Sequence, residues 1–97
     1  MPYIILAHDK PDQDLLREEL RESHRNHLKS IGPKLIASGA ILSDSGQVIG
    51  GMSIIDTEDI EEARRFASED PYSKHEIRVT ISIIKWRKRW WEGKFLL

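Results

Sequence analysis

Apolar and polar positions divide this chain into short segments of two different periods. Tyr3 to Ala7 is an unbroken apolar run, bounded by Pro2 and by the polar His8-Asp9-Lys10-Pro11. A run of that length between breakers reads as a buried strand followed by a loop. From Asp12 the period changes. Leu16, Leu20, His24, His27, Leu28, Ile31 and Leu35 recur at steps of three and four, which places them on one stripe of a helix. Gly32-Pro33 interrupts that stripe. Proline lacks the N–H that the preceding turn needs, so the pattern predicts an end or kink near Ile31, a restart with Pro33 in a first turn and a stop at Gly39.

A second strand is expected at Ala40 to Leu42, with Ser43-Asp44-Ser45-Gly46 supplying the turn after it. Val48 to Ile55 reads as a third strand, in which Gly50-Gly51 weakens the start or marks a bulge. Asp56-Thr57 offers an N-cap for a helix through Ser68, with Ile60, Ala63, Phe66 and Ala67 on its buried side. Asp70-Pro71-Tyr72 ends that helix, because a residue before proline is pushed out of helical dihedrals. Ile77, Val79, Ile81 and Ile83 then alternate with Arg78, Thr80 and Ser82, the clearest strand in the chain. The order βαββαβ predicts an α+β, ferredoxin-like fold, with a four-stranded antiparallel sheet and both helices on one face. The other face would be bare, and a second copy packing sheet against sheet would cover it.

Ninety-seven residues make one domain, 1–97, near the lower edge of what buries a self-sufficient core. The formal charge of −1 argues against a general nucleic-acid binder. Its distribution is uneven: Asp56 to Asp70 is mostly acidic, while Lys85, Arg87, Lys88, Arg89 and Lys94 crowd the last stretch. Residues 86–97, with three tryptophans, carry too many large apolar groups for a solvated end. They are expected to pack on the body or on a partner subunit, in preference to forming an aromatic-and-basic nucleic-acid patch. The absence of cysteine excludes disulfides, a thiolate zinc site and a cysteine nucleophile. The first apolar run is too short for a membrane span and lacks the basic flank of a signal peptide, so a cytoplasmic protein without a membrane partner is expected.

The candidate chemistry centres on His24. At 100° per residue it lies about 40° from Leu20 and Leu28, inside the apolar stripe and facing the sheet. An imidazole there needs a partner, since an unpaired buried polar group costs roughly 1–3 kcal/mol. A carboxylate such as Asp70 on one ring nitrogen would set the tautomer and raise the basicity of the other, as a general base requires. A packed core histidine and a plain helix stop remain open for the same two residues. Arg21, one turn before His24, would neutralise an anionic substrate or simply sit in solvent. His27 reads as a second site residue or a packed edge, and His8 as a cavity residue or a solvated one. The spacing His24-x-x-His27 finds no third ligand, so neither a metal nor another cofactor is expected.

The chain resembles the YciI-like (YCII-related) family. The resemblance rests on the strand Tyr3-Ile4-Ile5-Leu6-Ala7, on Arg21-Glu22-Ser23-His24, on the small-residue turn Ser38-Gly39-Ala40, on the helix running into Asp70-Pro71-Tyr72 and on the last alternating strand. It implies a dimeric α+β barrel similar to muconolactone isomerases, with His24 and Asp70 as the catalytic pair; Arg21, His27, His8 and Tyr72 are the candidate substrate contacts taken from their own positions in the chain. It also implies a small enzyme of lyase or isomerase type, since some relatives dehydrochlorinate chlorinated hydroxyquinones. The alternative is a non-catalytic module that binds a small ligand. In such a barrel, Arg78, Thr80 and Ser82 would point into the space between subunits.

Overall fold

The computed structural model describes residues 1–96. Its elements run β1 (Tyr3–Asp9), α1 (Asp14–Ile31), a single 3-10 turn (Gly32–Lys34), β2 (Leu35–Leu42), β3 (Val48–Ile55), α2 (Ile60–Glu69), α3 (Pro71–Lys74) and β4 (Arg78–Lys85). A small hairpin follows, of β5 (Trp90–Trp91) and β6 (Lys94–Phe95). The first four strands form one antiparallel sheet in the order β2-β3-β1-β4, so the expected ferredoxin-like α+β fold is the fold observed.

Two boundaries differ from the sequence reading. No helix restarts at Pro33, whose segment is only a 3-10 turn, and Leu35 to Gly39 already belong to β2. The step from Ile31 to Leu35 continues the helical spacing, but pairing of Leu35 with Ile55 and of Ala37 with Ile54 puts these residues in the sheet. The second helix begins one turn later than expected. Asp59 is its N-cap and accepts from the Glu61 amide at 2.9 Å, while the Thr57 hydroxyl accepts from the Asp59 amide in the turn before it.

The core lies between the sheet and α2. Tyr3, Ile5 and Ile55 meet Ala63, Phe66 and Ala67, and Leu28, Ile31, Leu35, Ile60 and Ile83 close the edges. The α1 stripe packs more loosely: Leu16, Leu20, His24, His27, Leu28 and Ile31 are all half-buried, and no residue of that helix is fully buried. The cause lies on the sheet. Cross-strand register puts Ser38 opposite Ser53, and Ala40 and Ala7 on either side of Gly51. Side chains this small cannot reach α1. A space is left between that helix and the β2–β3 half of the sheet.

Gly50 serves a different need. A Cβ there would overlap the Ala7 carbonyl oxygen, so only glycine lets β1 and β3 approach at this point. Among the described residues, the opposite sheet face carries no helix, and Met52 and Ile84 are exposed on it. Among those residues, too, no helix is long and apolar enough to cross a membrane.

Candidate active site

His24 and Asp70 are 46 positions apart in the sequence and meet beside α1. Nδ1–H of His24 donates to Asp70 Oδ1 at 2.9 Å. Asp70 is not only the stop of α2. Its side chain caps α3 by accepting from the Tyr72 amide at 2.9 Å, so a local capping bond orients the carboxylate independently of the histidine. Its other oxygen, Oδ2, accepts from Arg78 Nη2 at 3.1 Å. Burial pushes the Asp70 carboxyl up, but the hydrogen bond from His24, the charges of Arg78 and His24 and the Tyr72 amide outweigh it. The net effect holds this carboxyl below the usual aspartate range. An ionised Asp70 keeps the proton on Nδ1 and leaves the lone pair on Nε2 of His24.

Tyr72 stacks on that imidazole, with ring centroids 4.1 Å apart and planes 7° from parallel. Its hydroxyl donates to the Arg17 carbonyl at 3.3 Å. Burial first, and then the Asp70 charge, raise its phenol above the usual range, so it stays protonated and acts as a spacer and donor. The ring of His24 is thus fixed by a bond in its plane and a stack on its face.

The space beneath α1 is a cavity of about 280 Å³, lined by His24, Tyr72, Arg21 and Arg78 on one side and by Ser38, Ala40, Gly51 and Ser53 of the sheet on the other. Arg17 and Asp9 complete the lining at one end. Arg17 donates to Asp9 Oδ2 through Nε at 3.1 Å and Nη2 at 2.9 Å, and both side chains are almost wholly buried. Two buried atoms of this lining, Asp9 Oδ1 and Arg78 Nε, have no hydrogen-bond partner among the described residues. Their residues are register partners across β1 and β4.

The candidates named from the sequence separate in space. His24, Asp70, Tyr72 and Arg21 converge at the cavity. Arg21 stands at its rim, half-exposed and ion-paired with Glu18 of its own helix. His27 turns elsewhere: its Nε2 donates to the Phe66 carbonyl at 2.8 Å and its ring stacks on Phe66, which fastens α1 to α2. The two helical histidines therefore do not share a ligand position. His8 is exposed and lies in register with Gly50 and Thr80, on the sheet face away from the cavity, because successive strand residues point to opposite sides.

Strict alternation puts Arg78 on that far face with Thr80 and Ser82. It sits on the cavity side instead. Asp9 pairs with Arg78 and His8 with Thr80, so Val79 is an extra residue, and this bulge shifts the alternation by one position. Asp9 and Arg17 are site residues that sequence reasoning missed, and Arg78 it weighed only for the other face. The available signal was a basic residue opening the last strand of the sheet, and an Asp closing the first one.

A family model, the YCII-related domain, matches residues 1–87. Among solved structures, the chain is similar to 5-chloro-2-hydroxyhydroquinone dehydrochlorinase (TftG) from Burkholderia phenoliruptrix in complex with 2,5-dihydroxybenzoquinone, with 22% identity and a TM-score of 0.80. That likeness covers 90% of this chain and 94% of TftG. A protein from Agrobacterium tumefaciens is 15% identical with a TM-score of 0.54, over 99% of this chain and 100% of that one. Both likenesses are of fold. No curated protein matches the sequence.

Proposed function

The chain belongs to the YCII-related domain family, and we propose on that basis that it is a small enzyme of lyase or isomerase type, with His24 as general base and Asp70 as the group that orients it. The observation that carries this reading is the His24–Asp70 pair at 2.9 Å beside a cavity of about 280 Å³. That space suits a compact, ring-sized metabolite.

The chemistry follows from the tautomer. Nε2 of His24 takes a proton from a carbon next to a carbonyl, and the imidazolium that forms is stabilised by the Asp70 carboxylate. The electron pair left on substrate either accepts the proton back at another carbon, an isomerisation, or expels an anionic leaving group from the adjacent carbon, an elimination. Arg78 keeps Asp70 ionised, so the proton stays on the histidine and is not lost to the carboxylate. Arg21 and Arg78 on one wall and the hydroxyls of Ser38 and Ser53 on the other give the cavity polar groups that a hydroxy- or oxo-substituted ring would meet. The activity of TftG, whose fold this chain shares, agrees with a substrate of that kind.

The test is turnover of cyclic lactones and of chlorinated and unchlorinated hydroxyquinones by the parent protein and by His24→Ala. Loss of one base typically removes about 10²–10⁴-fold of rate. Equal turnover in the two proteins removes His24 from the mechanism. A compound that raises the melting temperature and is never converted favours the second reading, a ligand-binding module built on the same cavity.

A further inference from the structure

The hairpin of β5 and β6 is left unused by the site and by the four-stranded sheet, and it lies beyond the region shared with the family, which ends at residue 87. It is nonetheless well formed. Glu92 and Gly93 both have positive φ, 52° and 78°, the backbone of a tight two-residue hairpin turn. Trp90 faces Phe95 across the strands, with ring centroids 4.4 Å apart and planes at 90°. Trp91 packs edge-on to Trp86 and carries Lys88 over its ring at 5.1 Å. Yet Trp90 is 52% exposed and Phe95 80% exposed. That aromatic pair does not pack on its own body.

Charge narrows the choice of what covers it. Lys85, Arg87, Lys88, Arg89 and Lys94 stand against Glu92 alone in this stretch, although the whole chain is at −1. The rest of the molecule is accordingly net negative. Among the described residues, Arg87, Lys88, Arg89 and Lys94 form no ion pair. The loop leading into α2 presents exposed Asp56, Glu58 and Asp59, followed by exposed Glu61 on the helix. Glu58 and Glu61 pair locally with the amino terminus and with Arg64, exposed pairs of a kind that exchange partners at little cost. A polyanion would meet the hairpin favourably and the body unfavourably. A second copy of this chain offers an acidic acceptor for the cations, with the exposed Met1, whose amino group pairs with Glu58, as an apolar group beside it.

We propose that the hairpin is a clasp that grips the acidic α2 end of a second copy of this chain, with Trp90 and Phe95 buried in the contact and Arg87 and Arg89 paired with its carboxylates. In a two-fold dimer, each copy would give one clasp and receive one. The clasp is separable from any contact between bare sheet faces, because it uses residues outside the four-stranded sheet.

Sedimentation velocity at micromolar concentration tests it. The full chain should be a dimer, and Trp90→Ala/Phe95→Ala should weaken association at least about tenfold with an unchanged far-UV spectrum. Arg87→Glu/Arg89→Glu should weaken it similarly, and combining that variant with Asp56→Lys/Glu58→Lys should restore it. A monomeric parent overturns the proposal. So does a dimer that all these variants leave equally tight, which would leave the bare sheet face as the contact. Retention of a parent monomer by a single-stranded oligonucleotide or by phosphatidylserine vesicles at physiological salt would overturn it too, by assigning the hairpin to a different partner.

Discussion

Asp70 draws hydrogen bonds from three different elements while only 2% exposed. The Tyr72 amide, the His24 imidazole and the Arg78 guanidinium all donate to it. Its carboxyl is held below the usual range, so between that lowered value and the ordinary one near 3.8 the unfolded chain binds more protons than the native one. Stability contributed by Asp70 is present above this window and lost as pH falls through it. Asp70→Asn should be less stable than the parent at pH 7, and the difference in melting temperature should narrow as pH is lowered towards that window. Parallel calorimetric curves for the two proteins would show that Asp70 contributes nothing through its charge. Arg78→Gln removes one of three donors to a buried carboxylate that His24 and the Tyr72 amide still hold, and a hydrogen bond to a charged group is worth about 1.5–3 kcal/mol. Urea unfolding should show a loss of that order, together with a weaker pH response at low pH.

At the scale of elements, the site depends on where the sheet carries no side chain. Gly50 and Gly51 are adjacent and serve opposite purposes. Gly50→Ala drives a methyl into the Ala7 backbone and should cost several kcal/mol or block folding, because backbone cannot yield as a side-chain tip can. Gly51→Ala meets only ordinary contacts, 3.5 Å from the Gly39 carbonyl oxygen and 3.7 Å from Arg78 Nη2. It should fold with near-parent stability and weaken any ligand held beneath α1. Chemical denaturation and ligand titration on the two variants separate the roles. Asp59→Ala removes the N-cap of α2 and should cost about 1 kcal/mol without affecting the site, since that helix reaches the cavity only through its far end at Asp70.

For the whole molecule, the uncovered sheet face is the main unbalanced feature. Met52 and Ile84 are among the apolar side chains that it exposes, in a chain small enough for a second copy to matter to its stability. Met52→Glu/Ile84→Glu should leave the circular dichroism of a folded chain and reduce the mass measured by light scattering towards that of one copy. An unchanged mass would assign association to other surfaces.

The order of elements, the antiparallel fold class and the inward phase of His24 were legible in the chain itself, because each follows from local periodicity: 3.6 along α1 and two along the strands. Asp70 was marked as well, through a proline that dictates the backbone before it. Which side Arg78 takes, the start of β2 at Leu35, the pairing of Arg17 with Asp9 and the cavity over Gly51 were not legible. These depend on register and on one bulge at Val79, and register is settled by pairing between segments tens of residues apart. Periodicity places a side chain on a face of its own element. Only the neighbouring strand decides which side of the sheet that face will be, and whether anything fills the space above it.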